Sequence, residues 1–235
     1  MSALIACLVS ARQELLFELE RFLLLWRYHH PMPPFALWWR LVLKRSFDVL
    51  AGSVLFLAAL PVFAIIALAI RLDSRGPVLF LQERVGRFGR TFRMIKFRTM
   101  VPDAESQSGP VWAQHVCDDP RVTRVGRWLR RMHLDELPQL WNVVRGDMSL
   151  VGPRPERPHF VQELERAIPS YPKRLFARPG ITGLAQVHYR YDQTVEDVKR
   201  KLRFDLLYVR RMCLALDVRI LVWTIVVVAT GRGIR

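Results

Sequence analysis

The stretch "LDELPQLWNVVRGDMSLVGPRP", residues 134–155, carries the side chains best suited to chemistry. Asp135 and Glu136 stand side by side, ahead of an apolar pattern, Leu137, Leu140, Trp141 and Val144, at helical spacing. Pro138 fits only the first turn of a helix, so the spacing predicts a helix that begins near Asp135. Carboxylates at a helix start are stabilised by about 0.3–1 kcal/mol each, which is enough to explain the pair as a polar helix start. The same field keeps a carboxylate ionised, as a nucleophile or a magnesium ligand must be. Both readings stay open at this point.

Several cations carry phosphate-binding signatures. Arg154 lies between Pro153 and Pro155, which stiffen its backbone, and a fixed guanidinium suits a bidentate phosphate contact or a pairing with a surface acid. In "ARPGITGLAQV" Arg178 precedes Pro179, while Gly180 and Gly183 permit turns and close backbone approach. "KFRTM" adds Lys96 and Arg98, as hairpin surface or as phosphate contacts. In "RVTRVGRWLRRMHL" an apolar stripe of Val125, Trp128, Leu129 and Met132 opposes Arg124, Arg127 and Arg131, with Arg130 beside them. GxxxxGK[ST], GxGxxG and HExxH are all absent, which argues against a nucleotide-hydrolysing, dinucleotide or metalloprotease site. Cys7, Cys117 and Cys213 lack metal-binding spacing and point to a reduced, cytosolic setting without structural zinc.

These groups need elements to hold them. The chain has 235 residues, 51% of them hydrophobic, yet Lys and Arg exceed Asp and Glu by 36 to 21, a net charge of +15. Apolar and basic together suit an anionic surface, whether a membrane face, a nucleic acid or a phosphorylated substrate. Residues 49–70 hold no charge and would form a helix of roughly 33 Å, enough for a bilayer core. Pro61 falls near its middle, and both flanks are basic: Arg40, Lys44 and Arg45 before, Arg71 and Arg75 after. Basic flanks favour the cytosolic side, so a helix broken at Pro61 that enters and leaves by one face fits better than a straight span.

Three regions follow. Residues 1–43 form an N-terminal extension with an amphipathic helix in "RQELLFELERFLLLWRY", 44–72 a re-entrant membrane helix hairpin, and 73–235 a cytosolic domain. Within the last, "PVLFLQERVG" and "TFRMIKFRTM" read as a β-hairpin around "RFGR", and residues 102–121 as a loop. "HFVQELERAI" and "TVEDVKRKLRFDLLYVRRM" read as helices, and "ILVWTIVVVAT" as a core or interfacial helix too short to span. The expected class is α+β, mostly helical and membrane-associated (monotopic), with a proline-broken re-entrant helix, a small β-hairpin and interfacial amphipathic helices.

"KRSFDVL", "KFRTM", "LDELPQLWNVVRGDMSLVGPRP", "RPGITGLAQV" and "FDLLYV" occur in this order from Lys44 onward. Together they resemble the bacterial sugar transferases, the monotopic phosphoglycosyl transferases, in a short form. The resemblance implies transfer of a sugar-1-phosphate, commonly of a hexose, from a UDP-sugar to undecaprenyl phosphate. UMP is released, and a glycan such as exopolysaccharide, capsule or O-antigen is begun. It implies Asp135 as the nucleophile of a covalent phosphosugar intermediate and Glu136 as its neighbour at the required Mg2+ (or Mn2+), with Asp135 and Glu136 as the metal pair. It implies Arg130, Arg154 and Arg178 at the phosphates, to which the reading of "KFRTM" adds Lys96 and Arg98. It also implies Pro61 as the helix break and the inner (cytoplasmic) membrane of a bacterium, catalytic domain on the cytosolic face, as the location. Some members carry Ser before that proline, where this chain has Leu60. The expected partners are the UDP-sugar, undecaprenyl phosphate and the lipid bilayer, with no nucleic acid; a homo-oligomer is left open. The +15 charge alone would also fit a membrane-tethered basic scaffold or nucleic-acid binder, whose binding would depend steeply on salt. The arginines gather instead around the acid pair and the Gly/Pro turns.

Overall fold

In a computed structural model of the chain, residues 34–102, 104, 119–189 and 194–230 are described. The expected amphipathic helix of the N-terminal extension and most of the expected 102–121 loop lie outside them. The contacts divide the chain into Met1–Val42 and Leu43–Arg235. The first helix, α1, covers Pro34–Asp73, starting on a proline that needs no N–H partner there. It runs on through Pro61. Pro61 removes one backbone hydrogen bond there, with helical turns on either side, and is the point at which a helix bends.

One face of α1 lies along the rest of Leu43–Arg235. Its inward residues recur every three or four positions, with one step of seven between Phe56 and Phe63: Lys44, Asp48, Gly52, Phe56, Phe63, Ile66, Ile70 and Asp73. Gly52 sits against Val143, where a Cβ would come within 3.1 Å. The Phe56 ring packs on Trp141 at 5.6 Å and on Phe63 at 5.7 Å, and Phe63 packs on Phe97 at 5.3 Å. Ile66 and Ile70 are buried with Phe97 and Leu129. The opposite face holds bare apolar side chains, with Leu50 68%, Ile65 69% and Leu72 79% exposed. A row of this kind is not left in water by a folded chain, and α1 is long and apolar enough to cross a membrane.

The hairpin forms as read: β1 (Leu79–Val85) pairs antiparallel with β2 (Thr91–Phe97), Leu79 opposite Phe97 and Val85 opposite Thr91. Its turn contains Phe88 and Gly89 in the left-handed region. Next come α2 (Arg124–Arg131), capped by the Thr123 hydroxyl, and α3 (Gln139–Arg145). The strand β3 (Ser149–Val151) leads to α4 (Pro158–Ala167). A 3-10 turn, Tyr171–Phe176, then leads to β4 (Gly180–Thr182), the short α5 (Leu184–His188), α6 (Val195–Arg211) and α7 (Leu214–Ala229). A second core gathers Val85, Phe160, Val161, Leu164, Ile168, Tyr171, Val198 and Leu202 between the hairpin, α4 and α6.

Two features depart from the sequence reading. First, β3 and β4 pair in parallel, Ser149 with Gly180 and Val151 with Thr182. This sets the "GPRP" and "RPGITG" segments side by side, and glycines permit it: a Cβ on Gly152, Gly180 or Gly183 would strike the facing backbone. Second, the apolar stripe read for α3 coincides with its buried face only in part: Leu140 is buried, and Leu137 and Val144 are partly so. Trp141 is half exposed, while Gln139 and Asn142 are buried. Asn142 completes the open edge of β2, accepting from the Ile95 N–H at 3.0 Å and donating to the Arg93 carbonyl at 2.9 Å. Leucine at 142 would strand both groups, at about 1–3 kcal/mol each. Asn142→Leu is expected to lower the melting temperature by roughly 5–10 °C; an unchanged melt by circular dichroism would count against this role.

Candidate active site

The acid pair sits at a joint between two helices. α2 ends at Met132, and His133 then takes a left-handed conformation, φ 55°. Asp135 and Glu136 follow in a 3-10 turn, Leu134–Glu136, and Pro138 caps α3. The sharp turn projects two adjacent carboxylates into different surroundings, which a regular helix start does not require.

Glu136 is held from two sides. Lys96 of β2 reaches its Oε1 at 2.9 Å. Arg154 spans the carboxylate, 2.6 Å to Oε1 and 3.3 Å to Oε2. The side chain is only 14% exposed, and burial alone would favour the neutral acid. Arg154 and Lys96 outweigh it and hold Glu136 well below the ordinary carboxylate range. Asp135 has the opposite balance. Burial first, then the negative charge of Glu136, push its pKa up, against the pull of Lys96, Arg130 and Arg154. The hydrogen bonds that Lys96 and Arg154 make to the acid pair go to Glu136. Burial lowers the Lys96 pKa, and Glu136 opposes the shift.

The other expected site residues divide. Arg130 turns from α2 toward the site, its Nε on the Thr99 hydroxyl at 2.9 Å, and its charge acts on Asp135. Arg98 does not face the pair: its fork binds the Ser74 and Arg75 carbonyls and the Ser74 hydroxyl, closing the end of α1. Arg178 donates to the Gly146 carbonyl at 3.1 Å, beside Arg45, which takes the Val143 and Val144 carbonyls. Both satisfy the end of α3, where the last carbonyls lack helical partners. The charge on Arg178 helps to lower the Arg45 pKa, after burial. The cations that act most strongly on Asp135 and Glu136 are Lys96, Arg130 and Arg154.

Sequence reading missed Arg84 and Arg174, which hold the Arg154 loop from behind. Arg84 Nη1 donates to the Pro155 carbonyl at 3.0 Å and Arg174 Nη2 to the Arg154 carbonyl at 2.9 Å. Arg84 sits in a strand and Arg174 in a short turn, so no motif marks either; the one visible hint is that Arg174 stands four residues ahead of Arg178. The ensemble can neutralise a phosphate while leaving one carboxylate uncommitted.

The family model for the bacterial sugar transferases matches residues 39–231. The UDP-N-acetylgalactosamine-undecaprenyl-phosphate N-acetylgalactosaminephosphotransferase of Aeromonas hydrophila is 45% identical over 193 residues, 82% of this chain and 45% of the relative. The undecaprenyl-phosphate glucose phosphotransferase of Komagataeibacter xylinus is 46% identical over 80% of this chain and 36% of its own length. The exopolysaccharide production protein PSS of Rhizobium leguminosarum bv. phaseoli is 42% identical over 82% of this chain and 98% of its own length. The chain thus spans less than half the length of the first two.

Proposed function

Because the chain belongs to the bacterial sugar transferase family, we propose that it transfers a sugar-1-phosphate from a UDP-sugar to undecaprenyl phosphate through Asp135. The observation that carries this reading is the division of the acid pair: Glu136 is consumed by Lys96 and Arg154, while Asp135 stands uncommitted within their field. In the first step an Asp135 oxygen attacks the sugar-bearing phosphorus of the diphosphate. The phosphorus–oxygen bridge breaks, and UMP leaves with the bridging oxygen. In the second, an oxygen of undecaprenyl phosphate attacks the same phosphorus, releasing the Asp135 carboxylate and forming the lipid diphosphate. Dividing the displacement keeps the two anionic substrates from having to approach each other directly. Lys96, Arg130 and Arg154 offset the charge on the phosphates.

Magnesium belongs to the proposal. Among the described residues no group of three or more His, Cys, Asp or Glu could hold a metal ion. A pair of carboxylates fits magnesium, which commonly takes one or two carboxylates and the remainder from phosphate and water. The contacts of Lys96 and Arg154 are with Glu136, so Asp135 is the less engaged of the two, and Glu136 would keep its cations or share an oxygen. When bound, the ion would supply positive charge to the diphosphate.

The membrane arrangement follows from α1. Arg45, near the start of its apolar stretch, grips α3, and Asp73 at its end accepts from the Val125 N–H of α2 at 3.0 Å. Both ends fasten to one polar domain, which supports entry and exit by one face, with the domain on the cytosolic side of a bacterial cytoplasmic membrane. The product would be the first lipid-linked sugar of a surface polysaccharide.

The test is UMP release by the purified chain in lipid nanodiscs, with magnesium and undecaprenyl phosphate. UDP-glucose, UDP-galactose, UDP-N-acetylglucosamine and UDP-N-acetylgalactosamine form the panel. One or more is expected to release UMP and, without acceptor, to leave labelled sugar phosphate on Asp135. Silence across the panel, or turnover without a protein-bound label, would defeat the reading.

A further inference from the structure

The segment that presents Arg154 is held by its backbone. The Val151 carbonyl accepts from Lys44 at 3.1 Å and from the Tyr208 hydroxyl at 2.8 Å. The Pro153 carbonyl accepts from the Gly180 N–H at 3.0 Å, and the Glu156 carbonyl from the Val85 N–H at 2.8 Å. Arg174 and Arg84 take the two carbonyls between them. The donors come from α1, β1, the Tyr171–Phe176 turn, β4 and α6, elements that sequence separates widely.

Arg174 grips the residue that matters most. It is buried, and each guanidinium nitrogen has a partner. Nε and Nη2 meet the Asp205 carboxylate at 2.8 and 2.7 Å, and Nη1 meets the Tyr171 hydroxyl at 2.8 Å. Nη2 also reaches the Arg154 carbonyl at 2.9 Å. An ion pair buried this deeply often adds little stability over a well-packed apolar group, so stability alone does not explain it. The Arg154 side chain is 44% exposed, so packing does little to fix its direction. Its direction is set by the Glu136 carboxylate at the guanidinium end and by the held backbone at the other.

We propose that Arg174 is a positioning residue for Arg154: it ties the Arg154 carbonyl to α6 through Asp205 so that the Arg154 fork is delivered to Glu136 and the donor diphosphate. This rests on the reading that Arg154 meets the diphosphate. Lysine at 174 keeps the charge but lacks the planar fork that reaches Asp205, Tyr171 and Arg154 together.

The test is a double-mutant cycle on UMP release, using the UDP-sugar that turns over in the panel. Arg174→Lys is expected to lower kcat/KM roughly tenfold, mainly through KM for the UDP-sugar, and to lower the melting temperature by several degrees while the variant stays folded at the assay temperature. In an Arg154→Ala background the same change is expected to do nothing further, because its effect passes through Arg154. Losses that multiply would overturn the proposal while leaving the diphosphate reading intact. An Arg154→Ala variant with full kcat/KM would sink that reading and the proposal together. If Arg174→Lys unfolds, Tyr171→Phe, which removes only the hydroxyl on Nη1, enters the cycle under the same criteria.

Discussion

Asp135→Asn is expected to abolish transfer, lowering UMP release by at least about a thousandfold, without weakening the fold. Asparagine keeps the shape of the side chain but is no nucleophile and forms no acyl phosphate. The stability half of the prediction comes from the pKa direction. Burial and Glu136 raise the Asp135 pKa in the folded chain. A raised pKa means that stability present below the unfolded value is lost as pH rises through the folded value. At neutral pH the ionised carboxylate therefore weakens the fold, and Asn removes that penalty. The melting temperature at pH 7 should equal or exceed that of the parent. The same shift sets the acid limb of kcat/KM: activity should fall as pH drops through a value above about 4, the ordinary carboxylate pKa. Glu136, held below its usual range, stays charged through that limb and does not shape it. A limb at or below that value, or turnover by the Asn variant, would remove Asp135 from the role.

The second large effect concerns stability. Lys44 is buried on α1, 2.6 Å from Asp217 and 3.9 Å from Asp48. Asp217 also accepts from the Tyr208 hydroxyl at 2.8 Å, and Asp48 accepts from the Ser149 hydroxyl and the Leu150 N–H, each at 3.0 Å. Lys44→Met leaves two buried carboxylates without their cation and the Val151 carbonyl short of a donor. Breaking a buried pair from one side costs about 3–5 kcal/mol, or on the order of 10 °C in melting temperature. Burial already pushes the Asp217 pKa up, with Lys44 as the leading counterweight. Without Lys44 the deficit should shrink as pH falls and Asp217 takes a proton. Changing Asp217 to Leu alongside should restore much of the loss. Thermal melts of the single and double variants at pH 5 and 8 would decide; a pH-independent deficit would contradict the account.

Much of this architecture could be read from residue patterns. The hairpin, α2, α4 and α6 are where alternation or helical spacing put them, because each is governed by local propensity and a single buried face. The acid pair, Lys96, Arg130 and Arg154 were all named from the sequence, and the fold brings them to one place. What escaped was set by tertiary partners. Asn142 looks like a solvent-facing polar residue until β2 presents an edge for it to complete. The β3–β4 pair is three residues long on each side, too short to alternate. Arg98 and Arg178 carry the same guanidinium as Arg154, and no sequence pattern announced that they also meet the unpaired carbonyls at the ends of α1 and α3. The helix dipole explained the acids only in part, since the 3-10 turn and the neighbouring cations treat two adjacent carboxylates in opposite ways.

The long contact face of α1 has a consequence for the lipid around it. A helix anchored independently on two sides of a bilayer feels hydrocarbon thickness directly and must tilt or stretch its surroundings when lengths disagree. Here Lys44 and Asp73 grip the same polar body. On the one-face arrangement proposed above, depth would be set by how far that body can approach the headgroups, and acyl-chain length would be a weak variable. Such a protein can keep one reactive height above the hydrocarbon as the membrane thins or thickens with growth temperature.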